Sequence, residues 1–448
     1  MSLFVRFVLA VALLLANTNA MAAAPAAVFA KDSQEATPQV VFREPAAPLT
    51  LERAVAYALN HNLELAAASR QVLAAQEAAR QAGFLPNPEL SIDIDNFGGK
   101  NERSGLASAE TTITLNQLVE LGGKRDKRKR SALATVQEAR SVYQAKRLAV
   151  AGETTRAFAD VLVAQQRLEL AREQLQLAEQ VLHTVQERVE AGKVSPIEAV
   201  KAKVALASNR IELDRAKRSL GIARRTLTIL WGNKAPSFTE AQGELPALLP
   251  PLPAMDELAA HLDQHPELAA LEAQMEKRRL ELKLALASRV PDLTIGGGVR
   301  NFQETEDYAA VVSLSFPLMV FNRNQGGISQ AKHELAQARA LLEAARLSRA
   351  TKLENAYQEL LAAQAMLNAI ERQMLPGATT AFNAVQEGYR QGKFSFLEVL
   401  DAQRTLFEVA VSHLDSLRQY LAAQVAVRTA AGLEPLETAA SQDNVAKP

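Results

Sequence analysis

The sequence predicts a mainly α chain with a membrane β-barrel, laid out as a duplicated helix, strand hairpin and long helix. Three observations predict it. The two halves of the 448-residue chain match each other. Long stretches with heptad spacing run almost free of helix breakers. Four short segments alternate apolar with polar residues.

The duplication sets the boundaries. Glu64-Leu65-Ala66 is answered by Glu267-Leu268-Ala269, and Pro88-Glu89-Leu90-Ser91-Ile92 by Pro291-Asp292-Leu293-Thr294-Ile295. Further on, Val185-Gln186-Glu187 is answered by Val385-Gln386-Glu387, and Gly192-Lys193-Val194-Ser195 by Gly392-Lys393-Phe394-Ser395. The spacing, about 200 residues, is far longer than a solenoid period and marks a duplicated domain. The first repeat is expected over residues 50–232 and the second over 255–432. Residues 233–254 contain Pro236, Pro246, Pro250, Pro251 and Pro253, which block helix continuation and predict a linker. Residues 23–49 read as an extended N-terminal segment for the same reason, and 433–448 as a C-terminal tail. Residues 1–22 read as an export signal: an apolar run from Leu3 to Ala16, broken by Arg6, precedes the small-x-small pattern Ala20-Met21-Ala22.

Within each half the elements follow in order. A first helix begins at Thr50, a good N-cap, is interrupted around Asn60-His61-Asn62 and stops before Pro86. Leu90, Ile92 and Ile94 then alternate with Ser91, Asp93 and Asp95, and Ile113 and Leu115 with Thr112 and Thr114. In the second half Leu293, Ile295, Gly297 and Val299 form one such set, and Tyr308, Ala310, Val312, Leu314 and Phe316 another. Period two gives each strand one apolar and one polar face, as in a soluble hairpin or a membrane strand.

A helix from Arg125 to Glu190 contains no Pro, and Gly152 is its only Gly. At about 1.5 Å per residue it spans on the order of 100 Å. Val161, Leu168, Leu175, Leu182 and Val189 recur every heptad, with Ala164, Ala171, Ala178 and Val185 as companions. The second half is expected to repeat this seam with Leu353, Leu360, Leu367, Met374 and Ala381, and with companions Ala356, Ala363, Ile370, Gly377 and Ala384. A kink is expected at Pro376-Gly377.

Composition narrows the function. Lys plus Arg number 50 and Asp plus Glu number 50, so the chain lacks the basic excess that a nucleic-acid partner requires. There is no Cys, which excludes disulfides, thiolate metal sites and a cysteine nucleophile. After the export signal no run of about 18 apolar residues appears, so any membrane crossing is expected to use a closed β-barrel. No catalytic set stands out, and no cofactor is implied. His261 and His265 are four apart, but with no third ligand they read as cap or surface residues rather than a metal site. Gly296-Gly297-Gly298 lies within a strand and is no phosphate loop.

Four strands cannot close a barrel alone, because single-chain bacterial barrels have about eight or more. A membrane barrel would therefore need partner chains: two would supply eight strands and three twelve, and the strand count does not choose between them. The duplicated halves, paired hairpins, heptad helices and Gly-containing turns together resemble the TolC-like outer-membrane efflux family over nearly the whole mature chain. Asn87-Pro88-Glu89-Leu90 and Leu121-Gly122-Gly123-Lys124-Arg125 resemble its heavy-metal, CzcC-like branch. The resemblance implies a homotrimer in outer-membrane lipid, with a twelve-strand barrel above a twelve-helix periplasmic tunnel. It implies the channel component of a tripartite system, working with a periplasmic membrane-fusion adaptor and an inner-membrane RND pump. Its cargo would be zinc, cobalt, cadmium, copper or silver cations; the alternatives are multidrug efflux, type I secretion or a soluble periplasmic coiled-coil adaptor.

The resemblance also assigns residues. Gly192, Lys193, Ser195, Gly392, Lys393 and Ser395 would form the tips that meet the adaptor. Glu398 and Asp401 would line a periplasmic gate, three apart on one helical face. Tyr389 would lock that gate by bonding Glu198. Phe394 stands where the family carries a basic residue, a position that Lys193 or Lys393 would have to serve.

Overall fold

The computed structural model describes residues 44–245 and 253–434. The expected export signal, most of the N-terminal segment, the centre of the linker and nearly all of the tail lie outside them. Strand β1 (Leu49–Thr50) leads into α1 (Leu51–His61), whose N-cap is Thr50. The expected interruption falls on Asn62. Its side chain accepts the Leu65 N–H at 2.9 Å, which starts α2 (Leu63–Gln81), and donates to the Leu230 carbonyl at 2.9 Å. A single asparagine thus caps one helix and fastens it to the far end of the same repeat.

The hairpin of the first half is β2 (Glu89–Asp95) and β3 (Glu110–Val119). It is followed by the long helix α3 (Lys124–Glu190), the returning helix α4 (Pro196–Ile229) and a short strand β4 (Ala241–Gln242). The second half runs through α5 (Met255–Ala260), α6 (Pro266–Ala287), β5 (Leu293–Phe302) and β6 (Asp307–Ser315). It continues through α7 (Gln325–Ala369), a π turn (Ile370–Met374), α8 (Leu375–Arg390) and α9 (Phe396–Ala431). His265 caps α6: its Nδ1 accepts the Glu267 N–H at 3.1 Å, and its Nε2 lies 3.1 Å from the Thr429 carbonyl. The neutral ring with its proton on Nε2 satisfies both contacts, so this histidine is a cap.

The two hairpins merge into one antiparallel sheet of order β2-β3-β5-β6. The register sorts its faces. Leu90, Leu115, Gly297 and Val312 pair in one row across all four strands, and Ile92, Ile113, Val299 and Ala310 in the next row on that face. Alternating with them are the rows Ser91, Thr114, Gly298, Val311 and Asp93, Thr112, Arg300, Ala309. Directly paired residues share a face, so one face is apolar and the other mostly polar. The apolar face is bare: Leu90 is 62% exposed and Val312 84%. On the polar face Arg300 donates to Thr112 at 2.9 Å and pairs with Glu110 at 3.1 Å. A water-soluble sheet would bury the apolar face against its own core; this one turns it outward, as a lipid-facing sheet does. The outer edges of β2 and β6 have no strand partner among the described residues.

The helices carry the heptad seam as expected in the first half, where Val161, Leu168, Ala171, Ala178 and Val185 are buried. In the second half the expectation fails beyond Ile370. Met374, Gly377, Ala381 and Ala384 are exposed, while Ala378, Phe382 and Tyr389 are buried. The cause is the π turn. There the Leu375 N–H reaches the Ile370 carbonyl, five residues back, so the turn absorbs one extra residue. Every later seam position moves by one: Leu367 is followed by Leu375, Phe382 and Tyr389. Pro376 explains the placement. It cannot donate to the carbonyl four residues before it and its ring crowds that carbonyl, and the wider π turn relieves both. The irregularity expected at Pro376-Gly377 therefore lies in the turn just ahead of them.

The described parts of both Pro-rich stretches are tied together. Leu49 and Thr50 pair in parallel with Ala241 and Gln242, and the Gln165 amide brackets Ala241 with bonds of 2.8 and 3.1 Å. Beside them the buried Glu44 carboxylate accepts from Trp231 Nε1 at 2.7 Å, the Ser237 N–H at 2.7 Å and the Asn233 amide. Burial pushes the Glu44 pKa up, but the Ser237 N–H together with Trp231 and Asn233 outweighs it, and the net direction is down. A depressed folded-state pKa gives stability that is present above the ordinary carboxylate value and lost as pH falls through the folded value. Acidification is expected to release this clasp. Trp231 is the single tryptophan, so its emission reports the release. Glu44→Gln is expected to show the red-shifted acid spectrum already at neutral pH; an unchanged spectrum would rule out the clasp.

Candidate functional site

The two helical turns converge, which no local signal required. Gly192, with φ of +67°, and Gly392, with φ of +78°, each end a long helix in the left-handed conformation that side chains resist. In both turns the following lysine closes the helix: Lys193 N–H reaches the Arg188 carbonyl at 2.9 Å, and Lys393 N–H the Gly388 carbonyl at 2.8 Å. Ser195 and Ser395 then cap α4 and α9. Behind the turns one apolar cluster, Val185, Ala202, Phe382, Tyr389, Phe396 and Val399, joins α3, α4, α8 and α9.

Tyr389 sits at its centre, 6% exposed, and its hydroxyl donates to Glu198 Oε2 at 3.2 Å. This is the pair that the resemblance assigned. The cation beside it is one that sequence reasoning missed. Arg188 donates to the Tyr389 carbonyl at 2.7 Å, and its guanidinium lies 4.3 Å from the phenol ring centroid. Lys193 and Lys393 are exposed on the turns instead. Arg188 falls on no seam position and directly precedes Val189, so the heptad pattern gave no signal for an inward-facing cation there. Phe394 has a different role. Its ring fills the space that a side chain at position 388 would need, so only glycine fits beneath it.

Burial first, and then the charge of Glu198, push the Tyr389 pKa up, against an opposing pull from Arg188. The phenol therefore stays protonated at neutral pH and remains a donor. The trio links three helices: Arg188 ties α3 to the last turn of α8, and Tyr389 ties α8 to the first turn of α4. Separating the two hairpins at this end requires breaking both links.

Glu398 and Asp401 lie on the exposed side of α9. Glu398 is engaged in a capping box: its Oε2 accepts the Ser395 N–H at 2.7 Å and the Ser395 hydroxyl at 2.8 Å, while Ser395 Oγ accepts the Glu398 N–H at 3.4 Å. The Ser395 N–H first, then its hydroxyl, hold the Glu398 pKa below the usual carboxylate range. Asp401 pairs with Arg404 at 3.0 Å. Both carboxylates lie on the surface. Among the described residues no group of three or more His, Asp or Glu side chains gathers in a way that would hold a metal.

Comparison with known proteins matches both repeats. The Outer membrane efflux protein profile matches residues 54–233 and 258–433, the two repeats in turn. The cobalt-zinc-cadmium resistance protein CzcC of Cupriavidus metallidurans is 35% identical over 393 residues, 88% of this chain and 92% of that protein. The nickel and cobalt resistance protein CnrC of the same organism is 26% identical, over 67% of this chain and 70% of that one. Among solved structures the CusC channel superposes with a TM-score of 0.74 at 18% identity, covering 88% of this chain and 98% of the other.

Proposed function

This chain belongs to the outer membrane efflux protein family, and from that premise we propose that it is the exit duct for divalent and related heavy-metal cations. Its outer-membrane channel function follows from the family. The cargo assignment rests on one observation, the 35% identity to CzcC across nearly the full length of both chains. We further propose that three copies close the sheet. The unpaired edges of β2 and β6 would otherwise leave backbone groups unsatisfied in lipid, at several kcal/mol each. Twelve strands then enclose a polar lumen, with Arg300, Glu110 and Thr112 on its wall. An adaptor engages the paired turns at Gly192, Lys193, Ser195, Gly392, Lys393 and Ser395, and an inner-membrane RND pump supplies the energy.

In this reading the tip is the gate. Tyr389, Glu198 and Arg188 hold the hairpins together, and Glu398 and Asp401 from each copy ring the opening. Rings of carboxylates concentrate cations at a pore mouth. Replacing Glu398 and Asp401 by Ala is expected to raise single-channel conductance and weaken block by multivalent cations; unchanged values would remove them from the gate. Deleting the gene and scoring tolerance to zinc, cobalt, cadmium, copper and silver beside several drugs tests the cargo. Loss of tolerance to drugs alone would overturn the metal assignment.

A further inference from the structure

We propose that the rim where the sheet meets the long helices carries a docking site for anionic phospholipid headgroups. Charge is distributed unevenly along the sheet. At the helix-bearing rim, six of the seven residues from Lys124 to Arg130 are cationic. The opposite rim carries Asp95, Glu304, Glu306 and Asp307 against Lys100 and Arg103. Some of the basic rim is neutralised within the chain: Lys124 pairs with Asp292, Arg128 with Glu120, and Arg130 with Asp126.

Arg125 and Lys127 donate to the backbone carbonyls of Gly83 and Gly122, and a second basic cluster lies beside an apolar cavity. Arg289, Arg323 and Lys332 line an open cavity of about 550 Å³ together with Val320, Phe321 and Ile328. No carboxylate lines it, and none of the three cations makes an ion pair among the described residues. Arg323 Nε donates to the Met319 carbonyl at 3.1 Å, which holds its guanidinium against the loop. Phe321 is 92% exposed and Leu318 77%. These apolar side chains continue the bare apolar face of β6 past its end at Ser315.

The combination selects its occupant. Apolar groups that extend a lipid-facing surface belong at the edge of the hydrocarbon, where aromatic side chains sit at headgroup level. Three unpaired cations immediately beside them meet the headgroups of that leaflet. Their chemistry fits a phosphodiester with net negative charge and disfavours a zwitterion, whose ammonium they would repel. The site would fix the height of the barrel in the membrane and hold the rim while the helices below it move.

The inference rests on the outer-membrane channel reading, and the two fail differently. The full-length protein would be reconstituted into nanodiscs of phosphatidylcholine with or without phosphatidylglycerol, and retained lipid measured by native mass spectrometry. Wild type is expected to retain phosphatidylglycerol preferentially. Each cation replaced, Arg289→Gln, Arg323→Gln or Lys332→Gln, is expected to weaken that retention about fivefold. A variant with all three replaced is expected to lose the preference, the single variants serve if it does not assemble, and a photo-crosslinker at position 321 gives an independent readout. Equal retention of the two lipids, variants indistinguishable from wild type, or crosslinks from position 321 to another copy of the chain would each overturn the proposal. Failure of the protein to enter any bilayer would instead count against the channel reading.

Discussion

Tyr389→Phe is expected to open the tip. The substitution keeps the ring, and with it the packing on Phe396 at 5.9 Å and the Arg188 stack. It removes only the bond to Glu198. A hydrogen bond to a charged group contributes about 1.5–3 kcal/mol, so its loss should shift the closed-to-open balance by roughly tenfold or more in each copy. Arg188→Gln attacks the other link, the cation over the ring and the bond to the Tyr389 carbonyl. The double variant is expected to be less than additive, because both residues restrain the same turn of α8. Single-channel recording in planar bilayers measures this directly: the variants should show longer and larger openings than wild type. If Tyr389→Phe and Arg188→Gln both conduct as wild type does, the trio is packing and not a gate.

Inserting one alanine after Met374 is expected to abolish the tip contacts, whereas deleting Gln373 should leave them intact. The asymmetry follows from the π turn. It already holds one residue more than the heptad allows, so a deletion lets it relax to regular α-helix with Leu375, Phe382 and Tyr389 still in the seam. An insertion adds a second extra residue and rotates everything beyond it by about 100°. Tyr389 and Phe382 would then leave the seam and expose their rings. The expected results are near-normal conductance and trimer stability for the deletion, and a leaky, heat-labile trimer for the insertion, read by recording and by gel mobility. Equal damage from both changes would show that the register does not depend on the π turn.

The repeat made the architecture legible in the sequence, because equivalent positions such as Gly192 and Gly392 needed the same left-handed turn in both halves. Strand faces were legible too, since alternation fixes which side chains point together whatever the sheet does next. The Tyr389–Glu198 contact was legible only through family resemblance: nothing local to either residue, far apart in sequence, says that they meet. Arg188 escaped because it reads as an ordinary last-turn cation beside an exposed helix end. The seam beyond Ile370 was misread because periodicity assumes a constant helical repeat. One proline was enough to break that assumption.

By itself, then, the sequence determined the elements, their duplication and the two-faced strands, all of which follow from short-range periodicity and turn chemistry. Tertiary structure alone decided which face of the sheet stays bare, which cation covers Tyr389 and where the seam slips. Each of these depends on contacts between segments remote in the chain, where packing rather than local propensity sets the outcome.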